Sequence, residues 1–321
     1  MGKIEPLGDN GYRVHFDHLD PDYPSRSEPG AVIGKKVIIS AGTLGSNEIL
    51  LQGRDVHKTL PNLSPMLGSR FSGNGDFLLS GTIETDQEVD PSQGPSITAG
   101  ADFSTANNRI YIEDLGFPNP LMWLIEGVIP NPNRLKNLLR WITTYISGSL
   151  GFRSGSHRIR FEASRIFRGG ATTNFLPYLG MGTDAADGQL RLKDGSIDVD
   201  WNHRQSMQMF KEMEQALKEL SRGAKGKYMT SILWQRPIRK LLTAHPSGGC
   251  FMGDGPESSV VNEHGEVWGY PNLYVADGSI IPTALAVNPS STISALAERV
   301  AFWMIHGREM ETGDSDVPEN K

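Results

Sequence analysis

One histidine and one asparagine stand in settings suited to moving a proton and holding an oxygen. His245 occurs in TAHPSGGCFMG. Pro246 turns the histidine out of helical geometry, and Gly248 and Gly249 let backbone approach backbone or ligand closely, so the imidazole is expected to be presented to a ligand. Such a group can take a proton near neutral pH. Taken alone, it reads equally as a structural histidine. Asn288 occurs in AVNPSST, where its amide can hydrogen-bond an oxygen. Pro289 follows, and Ser290, Ser291 and Thr292 are candidate caps for a helix whose Ile293, Leu296, Val300 and Met304 recur at helical spacing before Gly307. The positive end of that helix points back at Asn288.

The elements that position these residues are short. Asn272 to Ala276 (NLYVA) reads as a buried strand ending at Asp277-Gly278-Ser279, and the carboxyl end of a strand is where open α/β sheets take ligands. Lys36 to Ser40 (KVIIS) reads as a second strand running into Ala41-Gly42-Thr43-Leu44-Gly45, with a helix expected from about Ser46 to Gln52. This is a strand-glycine-helix corner of the kind that brings a dinucleotide close to backbone. Gly73-Asn74-Gly75-Asp76 is a turn signal, read on its own as a hairpin or loop. Gly180 to Ala185 matches G-x-G-x-x-A on paper, yet the residues after it read as strands at Leu190 to Leu192 and Ile197 to Val199. A dinucleotide fingerprint needs a helix there, so the match is set aside.

HPSGGCFMG, YPNLYVADGSIIP and VNPSSTISALAER together resemble the carboxyl-terminal signature of the glucose-methanol-choline (GMC) family of FAD oxidoreductases, nearest its cholesterol-oxidase branch. Val37 to Asp76 resembles the same family's middle FAD-binding segment. The resemblance implies oxidation of an alcohol or sterol-like small molecule with hydride passing to the flavin, and it makes His245 and Asn288 the paired active-site positions. It implies cofactor contacts from Ala41, Gly42, Asn74, Asp277, Gly278, Asn288, Pro289 and Ser290. It further implies a fold of mixed α+β and α/β class. This would be the remainder of an FAD-binding domain lacking its amino-terminal Rossmann βαβ unit, plus a substrate domain with an antiparallel sheet and helices. The expected division is 1–100 and 259–321 for the former and 101–258 for the latter.

No stretch supplies a credible phosphate-binding glycine loop, so the chain is expected to be a carboxyl-terminal portion, either truncated or one half of a split enzyme. An amino-terminal FAD-binding chain is then a partner, and the chain alone is expected to hold flavin weakly and to be inactive. Two other readings stay open: a non-catalytic remnant that binds a hydrophobic ligand or a partner chain, and a different alcohol oxidase or dehydrogenase of the family. Sterol-oxidising relatives carry a glutamate from the substrate lobe. The matching region here, about Ala171 to Leu179, has none.

Composition narrows the alternatives. At 321 residues the chain is long enough for a sizeable core. A net charge of -6 lacks the basic footprint of a nucleic-acid binder. The single cysteine, Cys250, forms no intrachain disulfide and no cysteine-rich metal site. His15 and His18 flank Asp17 on an expected strand with no third ligand in reach, so no metal is expected. The first residues hold no apolar run of signal-peptide length, and no segment reaches the roughly 20 apolar residues of a membrane span. A cytoplasmic protein is the expectation. Arg134 to Leu150 carries a helical apolar stripe, read as a helix on the lobe's core or, more sharply, as a lid touching a membrane. Asn202 is expected to cap a helix running to about Arg222.

Overall fold

The computed structural model of the chain describes residues 3–20, 22–23, 27–85, 89–92, 94–118, 175–231, 233–235 and 238–307. The stripe at Arg134 to Leu150 and the apolar run between Pro118 and Pro132 lie outside the described residues, apart from Pro118 itself. Two compact units emerge. Unit 1 comprises Met1–Asn74, Asp184–Ser206 and His245–Lys321, and unit 2 comprises Gly75–Thr183 and Met207–Ala244. These breaks differ from the expected ones at 100 and 258. Residues 184–206 belong to unit 1 because their two strands pack against a helix near residue 46.

Unit 1 begins with an antiparallel sheet of β1 (Ile4–Pro6), β2 (Tyr12–Leu19) and β3 (Ser27–Gly34). A turn through Asp9-Asn10-Gly11 joins β1 to β2. Ser27 to Pro29 open β3, with Pro29 opposite Asp17. β3 is an edge strand, where the missing N–H of proline is tolerated. His15 pairs with Glu5 at 2.8 Å rather than with His18.

The strand expected at Lys36 to Ser40 is β4 (Val37–Ile39), which pairs in parallel with β12 (Leu273–Val275). After β4 comes α1 (Gly42–Leu51), four residues earlier than the sequence suggests, followed by a π turn over Gln52–Val56. Gly42 starts it at φ 73°, a left-handed conformation. The Ala41 N–H donates to Ser46 Oγ, so Ser46 sits inside the first turns instead of opening them. The strands expected after Gly180 to Ala185 are β9 (Gln189–Lys193) and β10 (Ser196–Asp200), a hairpin on α1 that leaves no room for a fingerprint helix. The last helix, α3 (Ser290–His306), ends at Gly307 in left-handed conformation as expected. Its stripe is less covered than expected, since Val300 is buried while Ile293, Leu296 and Met304 are half-buried.

Unit 2 is a five-stranded antiparallel sheet in the order β11 (Lys227–Thr230), β5 (Phe77–Ile83), β8 (Leu176–Gly182), β7 (Ile110–Asp114) and β6 (Gly100–Asp102). α2 (Met207–Gly223) packs on it through Met209, Phe210, Met213 and Leu217. It approaches so closely that a side chain on Gly180 would collide with Met213 Sδ, and one on Gly182 with Met209 Sδ. α2 starts five residues after Asn202, whose side chain accepts from Arg204 N at 3.2 Å in a local turn. Asn202 therefore makes a turn instead of the expected cap. Phe77, Phe210 and Trp234 form an aromatic cluster, with Phe77 and Trp234 edge to face at 5.0 Å.

Candidate functional site

In unit 1 the carboxyl ends of the parallel strands meet. Ala276 N donates to Ile39 O at 3.0 Å, and Ser40 Oγ donates to Ala276 O at 3.1 Å. Beyond β12, Asp277 caps a 3-10 turn at Gly278–Ile280. Its Oδ1 accepts from Ser279 N at 2.8 Å and Ser279 Oγ at 2.6 Å, and its Oδ2 accepts from Ser46 Oγ at 2.5 Å. Asp277 thus ties β12 to the first turns of α1. Both its oxygens are engaged within the protein, and 8% of the residue is exposed.

The His245 segment threads into this end. Thr43 Oγ1 donates to Pro246 O at 2.7 Å, Asn47 Nδ2 donates to Gly248 O at 3.1 Å, and Gly248 N donates to Gly278 O at 3.1 Å. Gly248 and Gly249 both lie at positive φ. A Cβ on the first would overlap Arg70 O, and one on the second would overlap the Asn47 amide. The glycines are there for close approach, as the sequence suggests.

Asn74 joins the two proposed active-site segments. It is buried at φ 57°, a left-handed conformation that asparagine tolerates. Its Oδ1 accepts from Leu285 N at 2.8 Å and Ala286 N at 3.0 Å, and its Nδ2 donates to Val287 O at 2.9 Å. The clamped loop leads directly into Asn288. Two residues before Asn74, Ser72 exchanges backbone hydrogen bonds of 3.0 Å with Ser247, two residues after His245. One short stretch of chain therefore fixes the backbone beside both His245 and Asn288. Gly278 adds a second tie: the position its Cβ would occupy lies 3.4 Å from Pro246 O and 3.3 Å from Ile293 Cδ1 in the first turn of α3. His245 and Asn288 are both half-buried.

Asp184 escapes the sequence reading. It is 3% exposed and accepts from Ser72 Oγ at 2.8 Å, Gly73 N at 3.1 Å and Ala186 N at 2.9 Å. It holds the Ser72–Asn74 turn in place, and Ser72 Oγ in turn accepts from Asn74 N. The signal lay in the set-aside Gly180 to Ala185 stretch, whose acidic residue has no helix to serve.

Glu113 in unit 2 is the other overlooked carboxylate. It is 7% exposed on β7, directly opposite Leu179 of β8. The stretch searched for a glutamate, of which 175–179 are described, is therefore flanked by one from the neighbouring strand.

Both helices at this end are open at their amino termini. α1 follows Ala41 and α3 follows Pro289, and neither flanking residue supplies a side-chain cap. The expected caps Ser290, Ser291 and Thr292 fall inside α3 or at its first position, because Pro289 takes the cap site and has no oxygen to offer from its ring. Ala41 and Gly42 are exposed, and a Cβ on Gly42 would meet nothing within 4 Å. Uncapped N–H groups with open space before them suit an anionic ligand.

A family model described as GMC oxidoreductase matches residues 184–297, a span that contains Asp184, His245, Asp277 and Asn288. Over this span the chain is similar to the GMC oxidoreductases. Over 282 residues it is 29% identical to a cholesterol oxidase of Acinetobacter baumannii, covering 84% of this chain and 47% of that protein. Over 284 residues it is 26% identical to a cholesterol oxidase of Mycobacterium tuberculosis, covering 83% of this chain and 46% of that protein. The chain thus spans about half the length of the curated relatives it matches. In fold it is similar to the crystal structure of pyridoxine 4-oxidase from Mesorbium loti, with TM-score 0.59 at 16% identity, over 96% of this chain and 57% of that one. FAD is the cofactor that similarity to the GMC oxidoreductases implies. No described helix is long and apolar enough to cross a membrane.

Proposed function

We propose that this chain supplies the proton-transfer and oxygen-binding residues of an FAD-dependent oxidoreductase acting on the CH–OH group of an alcohol or sterol-like molecule. The observation that carries the reading is the Ser72–Asn74 stretch, which bonds to the backbone beside His245 on one side and beside Asn288 on the other. One substrate oxygen needs both side chains within hydrogen-bond reach.

His245 takes the hydroxyl proton, and Asn288 orients the same oxygen through its amide. FAD, when bound, accepts the hydride that leaves the carbinol carbon. Ala41, Gly42 and the uncapped start of α1 would meet its anionic part, with Asp277 and Gly278 beside them. Asn288, Pro289 and Ser290, at the open end of α3, favour negative charge there. Asn74 serves by positioning the loop before Asn288. The cholesterol oxidases among the relatives make a sterol the first substrate to try. The curated relatives carry about as much protein again as this chain matches, and the chain purified alone is expected to bind flavin weakly.

The test is His245→Ala in flavin-loaded protein. Turnover of a sterol or long-chain alcohol should fall about a hundred- to ten-thousand-fold while the flavin absorbance per mole of protein stays within error. Equal loss of flavin and activity would remove His245 from proton transfer. Separately, stoichiometric yellow flavin in the chain purified alone would overturn the claim of weak binding and leave the chemistry standing.

A further inference from the structure

Unit 1 carries a second cleft, at the amino-terminal ends of β4 and β12 and so at the opposite ends from Ser40 and Asp277. Its volume is about 810 Å³, within the roughly 300–1,000 Å³ of small-molecule sites. Four stretches wall it: the turn between β1 and β2, the residues leading into β4, the loop 59–62 and the loop 269–272. They are tied to one another. A Cβ on Gly11 would lie 2.7 Å from Lys35 Cα, Tyr12 OH donates to Pro271 O at 2.8 Å, and Asn62 N donates to Tyr270 OH at 2.8 Å.

Several polar groups of this cleft have no use within the protein. Thr59 Oγ1 is buried and has no hydrogen-bond partner among the described residues. Tyr270 is 6% exposed; its oxygen accepts from Asn62 N, while its own proton meets no acceptor among the described residues. Burial pushes this phenol up, so it keeps that proton at neutral pH. Lys35 and Asp9 are exposed on adjoining walls, and neither makes an ion pair among the described residues. Lys36, by contrast, is engaged, its Nζ donating to Met304 O at 2.6 Å. Buried hydroxyls are nearly always bonded, so two with unused protons on one cleft call for an acceptor from outside.

We propose that this cleft binds a sugar phosphate. Its phosphate accepts from the Tyr270 and Thr59 hydroxyls and takes Lys35 as its counter-charge, and its sugar hydroxyls donate to Asp9. Two features set the class. Two hydroxyl donors and an ammonium ask for an anion with several acceptor oxygens, which a phosphate group offers. The Asp9 carboxylate repels a bare anion, and only a ligand that also brings hydroxyl donors offsets this. Neither feature involves His245, Asn288 or the start of α1, so the inference goes beyond the flavin chemistry and does not depend on it.

The experiment is isothermal titration calorimetry of flavin-loaded protein with ribose 5-phosphate, inorganic phosphate and ribose. Ribose 5-phosphate should bind one-to-one and at least about tenfold more tightly than either part. Thr59→Val keeps the side chain's shape and removes a hydroxyl that bonds nothing in the protein, so the urea midpoint should stay unchanged while ribose 5-phosphate weakens about tenfold. Lys35→Met, also on the surface, should weaken it by a similar factor, and more at low salt than at high. Asp9→Asn should tighten inorganic phosphate and narrow its gap from ribose 5-phosphate. No binding of ribose 5-phosphate, or affinity equal to that of inorganic phosphate, would overturn the proposal. So would full affinity in both Thr59→Val and Lys35→Met, or binding that displaces flavin, since each puts the ligand elsewhere.

Discussion

The two units are held together differently. Unit 2 is a five-stranded antiparallel sheet with one long helix laid on it, and its strand β5 pairs on both sides with strands far away in sequence, β8 and β11. Its stability comes from area: Phe77, Phe210, Met181 and Met213 are almost entirely buried. Unit 1 has an apolar core too, around Leu50, Val260 and Leu273, but at the end that holds Asp277 the strands β4 and β12 are three residues long. There the chain is fixed by buried side chains that bond to backbone: Asn74, Asp184, Asn47 and Asp277. The difference teaches where precision is kept. A sheet tolerates small shifts along its ladder. A clamp of three hydrogen bonds on one asparagine allows little displacement of the loop it holds.

The largest break in that comparison is at the clamp. Asn74→Ala removes one donor and one doubly used acceptor, leaves Leu285 N and Ala286 N without their partner, and puts alanine at φ 57°. The expected destabilisation is about 2–4 kcal/mol, measured by urea denaturation, with turnover in flavin-loaded protein falling by more than flavin content. Asn74→Asp keeps both acceptor bonds and loses the donor to Val287 O, so it should cost less. A clamp variant as stable and as active as the parent would show that the loop before Asn288 is held by something else.

The middle effect concerns an acidic cap in unit 2. Burial pushes the Asp114 carboxyl up, but the Thr98 hydroxyl and the amides of Ala99 and Thr98 outweigh it and hold the group below the usual carboxylate range. A depressed folded value means stability that is present above the unfolded value, near pH 4, and lost as pH falls through the folded one. Asp114→Asn should lose about 1 kcal/mol or less at neutral pH, since the site is partly exposed. It should also flatten the acid limb of the stability curve below about pH 4. An unchanged acid limb would remove Asp114 from the acid sensitivity of unit 2.

Much of this was readable before the fold was known, and the reasons for the rest are physical. β9, β10, β12 and the end of α3 at Gly307 follow from short apolar runs with glycine or aspartate at their borders. Those signals are local. What failed to show were bonds between distant residues: Asn74 meets residues more than 200 positions away, and Asp184 meets Ser72 across 112. No periodicity encodes such partners. Helix starts were misplaced where a polar residue had two uses. Ser46 looked like an opening residue but serves Ala41 N and Asp277 from within α1, and Asn202 closes a turn on Arg204. Glu113 was missed because strand pairing, not sequence distance, sets it opposite Leu179.

The smallest expected effect sharpens the contrast from the other side. Ser80 is fully buried on β5, opposite Tyr178 of β8 and Thr230 of β11, and its hydroxyl has no hydrogen-bond partner among the described residues. Two residues on, the Thr82 hydroxyl is bonded to both Tyr178 OH at 2.9 Å and Ser221 Oγ at 2.7 Å. A buried polar group without a partner costs its desolvation and returns nothing, so replacing it with an apolar group of similar shape is close to neutral or stabilising. Ser80→Ala should therefore raise stability by about 0–1 kcal/mol, whereas Thr82→Val, which strips a hydroxyl from two bonds, should lower it by about 1–2 kcal/mol. Both are read in the same denaturation series. If Ser80→Ala destabilised as much as Thr82→Val, the Ser80 hydroxyl would have a partner after all, and unit 2 would lean on buried polar bonds in the way unit 1 does.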